Sequence, residues 1–325
     1  MALTPSNPAP LVSIVIPSYQ TADLISACLE SVLAQTFQDF EALVINDGSP
    51  DTAELEKVLQ PYMGRIVYIK QENKRAAGAR NNGIRRARGE FIAFLDSDDT
   101  WLPNHLENQS QLLQEDPSLD FVYANALLVG DPAHEPEFME KCPSSGEATF
   151  QALIVERCQI PISTVVVRRE SLLKAGLFDE TLLRCDDYDM WLRCAFHGAK
   201  IGYRKTVQAR LLIGRPGSLS VSRARMAEAY WRILEKTAQS LPLSDSDRRV
   251  VVGRAAEIKG QYLLEEGKAK LAERKFDQAR ALLAEANGYL RKSALSLAVF
   301  GLDVAPKATG RVLNLWARRR NGSPA

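Results

Sequence analysis

The sequence predicts an α/β fold in which a mostly parallel, Rossmann-like sheet carries helices on both faces and is followed by an all-α C-terminal region. Short apolar runs alternate with helical patterns over the first 125 residues, which is typical of parallel strands joined by crossover helices. Two acidic clusters follow or open such elements. Beyond about residue 222 the composition shifts to Ala, Leu, Glu, Arg and Lys at helical spacing.

The elements alternate in order along the first part of the chain. We predict strands over residues 12–16, 40–45, 66–69, 91–95 and 120–125. Helices are predicted over about 21–35, 51–60 and 103–115, and one more helix is predicted to end at about residue 88. The run 91–95 is wholly apolar, which suits a strand buried on both faces. Residues 130–148 are rich in Pro, Glu and Ser and are expected to form an irregular loop, and 160–179 hold a strand and a helix ending at Gly176.

The composition is that of an ordinary globular protein and excludes several classes. A net charge of +1 over 325 residues gives no overall basic field for nucleic acid. Five widely spaced cysteines without a Cys-x-x-Cys pair indicate reduced thiols and argue against a zinc site. Residues 1–10 are proline-rich, with neither the basic start nor the apolar core of a secretory signal. With no apolar run of about 20 residues, we expect a cytoplasmic protein.

A first acidic cluster follows the strand 91–95 directly. Asp96, Asp98 and Asp99 place three carboxylates within four residues, at the strand end where open α/β sheets bind ligands. Such crowding is unfavourable unless a cation neutralises it, and Mg²⁺ or Mn²⁺ takes one or two carboxylates together with phosphate oxygens. The alternative is an acidic turn in which Asp99 or Thr100 caps the next helix.

A second acidic cluster opens a predicted helix. Asp186, Asp187 and Asp189 lie in its first turn, ahead of the apolar positions Met190 and Trp191. Carboxylates there complement the helix dipole, which explains at least one of them without any function. A catalytic role requires only one carboxylate beside an acceptor hydroxyl.

Two further segments could contact a nucleotide. Asp47 ends the strand 40–45 and could accept from a nucleobase or a ribose hydroxyl, although an Asx-turn is an equal alternative. The stretch 73–83 is basic and rich in small residues, and Arg75 or Arg80 at its helix start could hold an anion. The alternative for that stretch is a solvated helix face. Neither Gly-x-Gly-x-x-Gly nor a Walker-type motif is present.

These segments together resemble family 2 of the glycosyltransferases over roughly residues 11–220. Residues 96–98 look like its Asp-x-Asp motif, 46–49 (Asn-Asp-Gly-Ser) its Asp-Asp-Gly-Ser, 79–81 its Ala-Arg-Asn and 176–180 its Gly-x-Phe-Asp-Glu. Residues 185–193 are similar to its Glu-Asp-x-Asp-x-Trp-x-x-Arg. The chain departs from the family by carrying Lys74-Arg75 in place of a glycine pair, and Asp186 in place of Glu.

The resemblance implies an A-type glycosyltransferase fold and an inverting, metal-dependent transfer from a nucleotide sugar, with a UDP-sugar as the favoured donor. It makes Asp187 the catalytic base and Asp98 the metal ligand, for Mg²⁺ or Mn²⁺. It places Asp47 against uracil and Asp96 against the ribose. The full set of predicted nucleotide-sugar-binding residues is Pro17, Tyr19, Asp47, Arg75, Arg80 and Asp96. Further candidates are Asp99, Asp186 and Arg215.

The predicted organisation is a disordered tail (1–10), a catalytic domain (11–222) and a helical region (223–325). Within the last, Gly267, Phe276 and Leu283 fall at tetratricopeptide spacing, which resembles one helix–turn–helix unit that binds a protein partner; a helical appendage packed on the catalytic domain is the alternative. Residues 307–320 mix apolar and basic side chains and could lie on the inner face of the plasma membrane.

The expected partners are a nucleotide-sugar donor and a glycan or lipid-linked acceptor in cell-surface polysaccharide or glycoconjugate synthesis, and no nucleic acid. Two other functions compete with this one. A nucleotidyltransferase on a similar sheet would release pyrophosphate from a nucleoside triphosphate. A non-catalytic scaffold would use only the helical region.

Overall fold

The computed structural model describes residues 8–130, 134–215 and 223–310. The chain divides into two compact units, residues 1–221 and 222–325. The first unit is built on a sheet, and the second is helical over its described residues. The predicted α/β class with a helical C-terminal region is therefore confirmed.

The described part of the first unit forms one sheet of eight strands in the order β3-β2-β1-β4-β7-β6-β8-β5. The strands are β1 Val12–Ser18, β2 Phe40–Asp47, β3 Val67–Gln71, β4 Phe91–Phe94, β5 Thr100–Trp101, β6 Phe121–Val129, β7 Val166–Arg168 and β8 Ile201–Leu212. Strands β1 to β4 pair in parallel, as β6 and β8 do. Strand β7 runs antiparallel to both β4 and β6, and β5 runs antiparallel to β8.

The helices of this unit lie on both faces of the sheet. They are α1 Ile25–Leu33, α2 Thr52–Leu59, α3 Arg75–Arg86, α4 His105–Glu115, α5 Phe138–Lys141, α6 Phe150–Ile154, α7 Arg169–Lys174 and α8 Asp186–Phe196. Ile14 and Ile16 of β1 belong to the core shared with α1, α2 and α4. On the opposite face a side chain at Gly83 of α3 would collide with Val15 at 2.5 Å. Burial on both faces explains why these strand sequences are largely apolar and do not alternate between apolar and polar residues.

Several predicted boundaries are wrong for identifiable reasons. Thr100 belongs to a short strand, and Asn104 directly precedes α4, the helix predicted over about 103–115. Neither Thr100 nor Asp99 is therefore a helix cap. The segment expected to be wholly irregular contains α5, and residue 137 bridges to β6.

The second unit consists of α9 Arg223–Ser240, α10 Asp245–Ala272, α11 Phe276–Leu290 and α12 Ser293–Val304 within the described residues. The helical patterns over residues 246–266 and 268–288 predict a break at Gly267, and this prediction is wrong, because the residue lies inside α10. A Cβ there would meet Leu283 of α11 at 2.8 Å, so the glycine permits close packing of two helices rather than a turn. The core shared by α10, α11 and α12 consists of Leu271, Ala279, Leu283, Leu295 and Leu302.

Most of the basic C-terminal segment 307–320 lies outside the described residues, since the description ends at residue 310. Among the described helices, none is both long and apolar enough to cross a bilayer.

Candidate functional site

The parallel part of the sheet brings the predicted residues to one edge. Strand β1 lies between β2 and β4, and all three run in the same direction. Their carboxyl ends therefore place Pro17, Asp47 and Asp96 at neighbouring positions of the same edge. Pro17 is half-buried near the end of β1, and Tyr19, two residues later, is 46% exposed. This is the edge at which open α/β sheets bind ligands.

Asp47 is held at the end of β2 by the chain that follows β3. Its Oδ1 accepts from Gln71 Nε2 at 2.6 Å and from the Lys74 backbone N–H at 2.8 Å. Burial raises the pKa of Asp47 above its ordinary value, and these donors partly offset the effect. The Asx-turn is made by the preceding residue, because Asn46 Oδ1 accepts from the Ser49 N–H at 2.9 Å. Gly48 turns the chain between them with a φ of +62°.

Arg80 connects the two acidic clusters. Its side chain is 5% exposed overall, with Nη2 on Asp96 Oδ1 and Nη1 on Asp186 Oδ2, both at 2.7 Å. The guanidinium also lies 5.7 Å from the centre of the Phe178 ring. Burial disfavours its charge, but the two carboxylates outweigh that effect and raise the pKa of Arg80. The planar guanidinium of Arg80 therefore holds the end of β4 beside the start of α8.

Asp98 and Asp99 differ sharply although they are adjacent. Asp98 has a side chain 26% exposed, and its Oδ2 lies 4.0 Å from Arg215 Nη1. Burial and then the charge of Asp96 raise the pKa of Asp98 to about 6. Asp99 is 7% exposed and accepts from Ser163 Oγ at 2.5 Å and from the Leu212 N–H at 2.8 Å. Asp99 thus ties the acidic turn to the end of β8.

The second cluster forms the first turn of α8. Cys185, in the left-handed region with a φ of +56°, leads the chain into this helix. Asp186 forms an ion pair with Arg80. Asp189 is 1% exposed and forms an ion pair with Arg193 at 2.8 Å. Asp187 is half-buried, and its Oδ1 accepts from the Tyr188 N–H. Of the three acids, Asp187 is therefore the one that is not committed to an ion pair within the described residues.

The surroundings of Asp187 favour its protonated form more than water does. Burial and then the charge of Asp186 raise the pKa of Asp187 to about 6, against the opposing charge of Arg80. A carboxylate with such a pKa is ionised near neutral pH and is still a better proton acceptor than an ordinary aspartate. It has the properties of a general base.

The two remaining predicted residues are Arg75 and Arg215. Arg75 is exposed at the start of α3, with a φ of +62°. Arg215 donates from Nη2 to the Gln20 carbonyl and lies 3.7 Å from Asp23 Oδ1. The structure brings Arg215 to Asp98, and it places Arg80 inside the protein.

The sequence did not single out two residues that support the site. Asn81 donates to the Phe178 carbonyl and to Glu180 Oε1, and its own Oδ1 accepts from the Phe178 N–H, each at 2.9 Å. Ser163 Oγ accepts from the Asp96 N–H at 3.1 Å while donating to Asp99. The Ala-Arg-Asn segment contained a signal for Asn81, but nothing in the sequence around Ser163 indicated its role.

The residues at this edge fit a hard divalent cation that takes some of its oxygen ligands from the protein and the others from a phosphate. Among the described residues, no group of three or more His, Cys, Asp or Glu side chains could form a complete metal cage. Mg²⁺ does not require one, since one or two carboxylates plus substrate phosphates suffice. Asp98 offers a partly exposed carboxylate whose charge Asp96 disfavours, and a cation would relieve that repulsion.

Comparison with known proteins gives a family and a fold. Residues 13–149 match the model named "Glycosyl transferase family 2". The chain is 37% identical over 183 residues to the Escherichia coli protein named UDP-Glc:alpha-D-GlcNAc-diphosphoundecaprenol beta-1,3-glucosyltransferase WfgD, covering 56% of this chain and 68% of that one.

Two solved structures share the fold at low sequence identity. Staphylococcus aureus TarS 1-349 is similar with a TM-score of 0.64 and 17% identity, over 95% of this chain and 91% of that one. The mannosyltransferase PcManGT of Pyrobaculum calidifontis, solved with GDP-Man and Mn²⁺, has a TM-score of 0.60 and 20% identity, over 97% and 90% of the two chains.

Proposed function

Because this chain is a glycosyltransferase and belongs to family 2, we propose that it transfers a sugar, with inversion at the anomeric carbon, from a UDP-sugar to a hydroxyl of a lipid-linked acceptor. The observation that carries the proposal is the bridge formed by Arg80. It joins Asp96 at the end of β4 to Asp186 at the start of α8. The bridge thereby holds Asp96, the carboxylate on the donor side, close to the turn that carries Asp187.

The donor lies at the carboxyl edge of β1, β2 and β4. Asp47 faces the nucleobase, Asp96 the ribose, and Arg75 and Arg215 the diphosphate. Uracil as the nucleobase is supported by the relative whose printed name contains UDP-Glc. Arg80 has a positioning role rather than a direct contact with nucleotide, because both of its terminal nitrogens are occupied by carboxylates.

Asp98 would hold a divalent cation, together with oxygens of the diphosphate. When bound, a divalent cation neutralises the charge that develops on the departing nucleoside diphosphate. Asp99 does not share this task, because its two oxygens are bound to Ser163 and Leu212. It keeps the turn that carries Asp98 in place.

Asp187 removes the proton of the acceptor hydroxyl. The hydroxyl oxygen forms a bond to C1 of the sugar on the face opposite the nucleotide, while the bond from C1 to the phosphate oxygen breaks. The proton passes to Asp187 and the electron pair leaves with the nucleoside diphosphate. One base is sufficient because the leaving group needs no proton.

The acceptor carries its sugar on a lipid diphosphate, and the product enters a cell-surface polysaccharide or glycoconjugate. The named relative uses a diphosphoundecaprenol acceptor. The protein would then work at the inner face of the plasma membrane.

The pH dependence of kcat tests the role of Asp187. With donor, acceptor and cation saturating, we expect kcat to fall about tenfold for each unit of pH below about 6, because the base must be ionised and its pKa is raised to about 6. Saturation removes the contribution of Asp98 to donor affinity. A kcat that stays constant down to pH 5 would contradict the assignment.

Calorimetric titration with UDP and UDP-sugars, with and without Mn²⁺ or Mg²⁺, tests the donor site. We expect metal-dependent binding that weakens by at least about tenfold in Asp98→Asn, the scale on which altered metal sites lose affinity. Asp277→Asn, an exposed acid of α11, is the matched control and should bind like the unmodified chain. Pyrophosphate release from a nucleoside triphosphate would favour a nucleotidyltransferase, and failure of the folded chain to bind any nucleotide would favour a scaffold.

A further inference from the structure

The last described helix, α12, is apolar on two sides. Leu295 and Leu302 are 9% and 3% exposed and pack into the core formed with α10 and α11. Leu297, Phe300 and Val304 are 72%, 63% and 69% exposed. Their spacing of three and four residues puts them on one stripe of the helix, which we call the outer stripe. A helix that is apolar on all sides is typical of a buried or membrane-contacting position.

The charges around the outer stripe have one sign. Arg291 and Lys292 precede α12, and Lys307 follows it, all three exposed. The single acid of the helix, Asp303, is paired with Arg280 of α11. An apolar stripe with exposed cations at both ends of its helix matches the interface of an anionic bilayer, where the apolar side chains enter the acyl boundary and the cations meet lipid phosphates.

The same asymmetry extends over the end of the sequence. Residues 291–325 contain seven Lys and Arg side chains and one acid, in a chain whose net charge is +1. The remaining 290 residues are therefore net acidic, and the excess of positive charge is concentrated in the last 35 residues of the sequence. Each basic residue near an anionic surface contributes about 1 kcal/mol in general, so the asymmetry favours lipid over a neutral protein groove.

We propose that the outer stripe of α12 inserts into the surface of an anionic lipid bilayer. The inference names the docking surface for the proposed function and rests on it, since a lipid-linked acceptor lies in a bilayer. Residues Leu297, Phe300 and Val304 are the anchors, and Arg291, Lys292 and Lys307 bind the lipid phosphates.

Co-flotation of the full chain with vesicles tests the inference. The unmodified chain is expected to float with vesicles of phosphatidylcholine and phosphatidylglycerol, and much less with pure phosphatidylcholine or in high salt. The variant Leu297→Ser/Phe300→Ser/Val304→Ser should lose at least about tenfold in bound fraction. Its thermal unfolding should match that of the unmodified chain, because the three side chains are exposed.

A matched control separates this stripe from general surface hydrophobicity. Val155→Ser/Leu173→Ser/Val252→Ser removes three apolar side chains that are 45%, 45% and 51% exposed elsewhere, and it should float like the unmodified chain. The inference is overturned if the unmodified chain does not float with anionic vesicles, or if the α12 variant floats equally well. It is also overturned if that variant only converts a dimer to a monomer in light scattering, since the stripe then covers a second copy.

Flotation is measured without donor or acceptor, so the two proposals fail separately. A chain that floats through α12 but transfers no sugar contradicts the proposed function alone. A chain that transfers sugar to a water-soluble acceptor but does not float contradicts the membrane inference alone.

Discussion

Asp187→Asn is expected to lower kcat by at least about a hundredfold, the contribution typical of a positioned general base, while the affinity for a UDP-sugar stays unchanged. The amide has nearly the same size but cannot accept the proton. Rapid-quench measurement of sugar transfer, alongside calorimetry of donor binding, checks both halves of this expectation.

Asp189→Asn is the matched control, because it changes an acid in the same helical turn. Asp189 is 1% exposed and paired with Arg193, so its loss should lower the midpoint of thermal unfolding. Asp187→Asn should not lower that midpoint, since burial already disfavours the charge that the variant removes. If the two variants lose kcat equally after correction for the folded fraction, Asp187 is not the base.

Arg80→Met is expected to give the largest loss of stability, about 3 kcal/mol in the free energy of unfolding, at the lower end for breaking a buried ion pair because Asp96 is partly exposed. The variant leaves two carboxylates facing each other without their cation. Urea unfolding measures the loss, and donor calorimetry should show weaker binding in the fraction that remains folded.

Two further variants show whether the bridge itself is responsible. Arg85→Met, on the same helix, breaks an exposed ion pair with Glu180 at 3.8 Å, and pairs of this kind contribute little. Adding Asp186→Asn to Arg80→Met should recover part of the stability, since it removes one of the unpaired charges. If Arg80→Met is as stable as Arg85→Met, the bridge has no structural importance.

The parallel half of the sheet could be predicted because its strands are buried on both faces. The run 91–95 is wholly apolar and 12–16 is apolar except for Ser13, and the acids that follow 91–95 predict a ligand-binding edge. The antiparallel insertion of β7 between β4 and β6 could not be predicted, since three residues carry no periodicity and their pairing depends on distant strands.

The role of Arg80 was also beyond local reasoning. A basic helix start predicts either a solvated face or an anion site, whereas the structure buries Arg80 between carboxylates. One of those carboxylates lies 106 residues away in sequence. The prediction at Gly267 was also wrong. This glycine suggested a turn, but it makes room for Leu283 of a later helix.

The bridge also has a consequence for how the protein is made. Arg80 and Asn81 reach partners 106 and 97 residues further along the chain. While the ribosome has produced only the first four strands, the cation of Arg80 lacks Asp186 and the amide of Asn81 lacks Phe178. Contacts of such sequence separation form late in folding, and nascent chains fold largely from the N-terminus. The proposed nucleotide-binding edge of the sheet would therefore exist before the turn that carries Asp187, the proposed base, and the proposed site would be complete only after the polypeptide has passed α8.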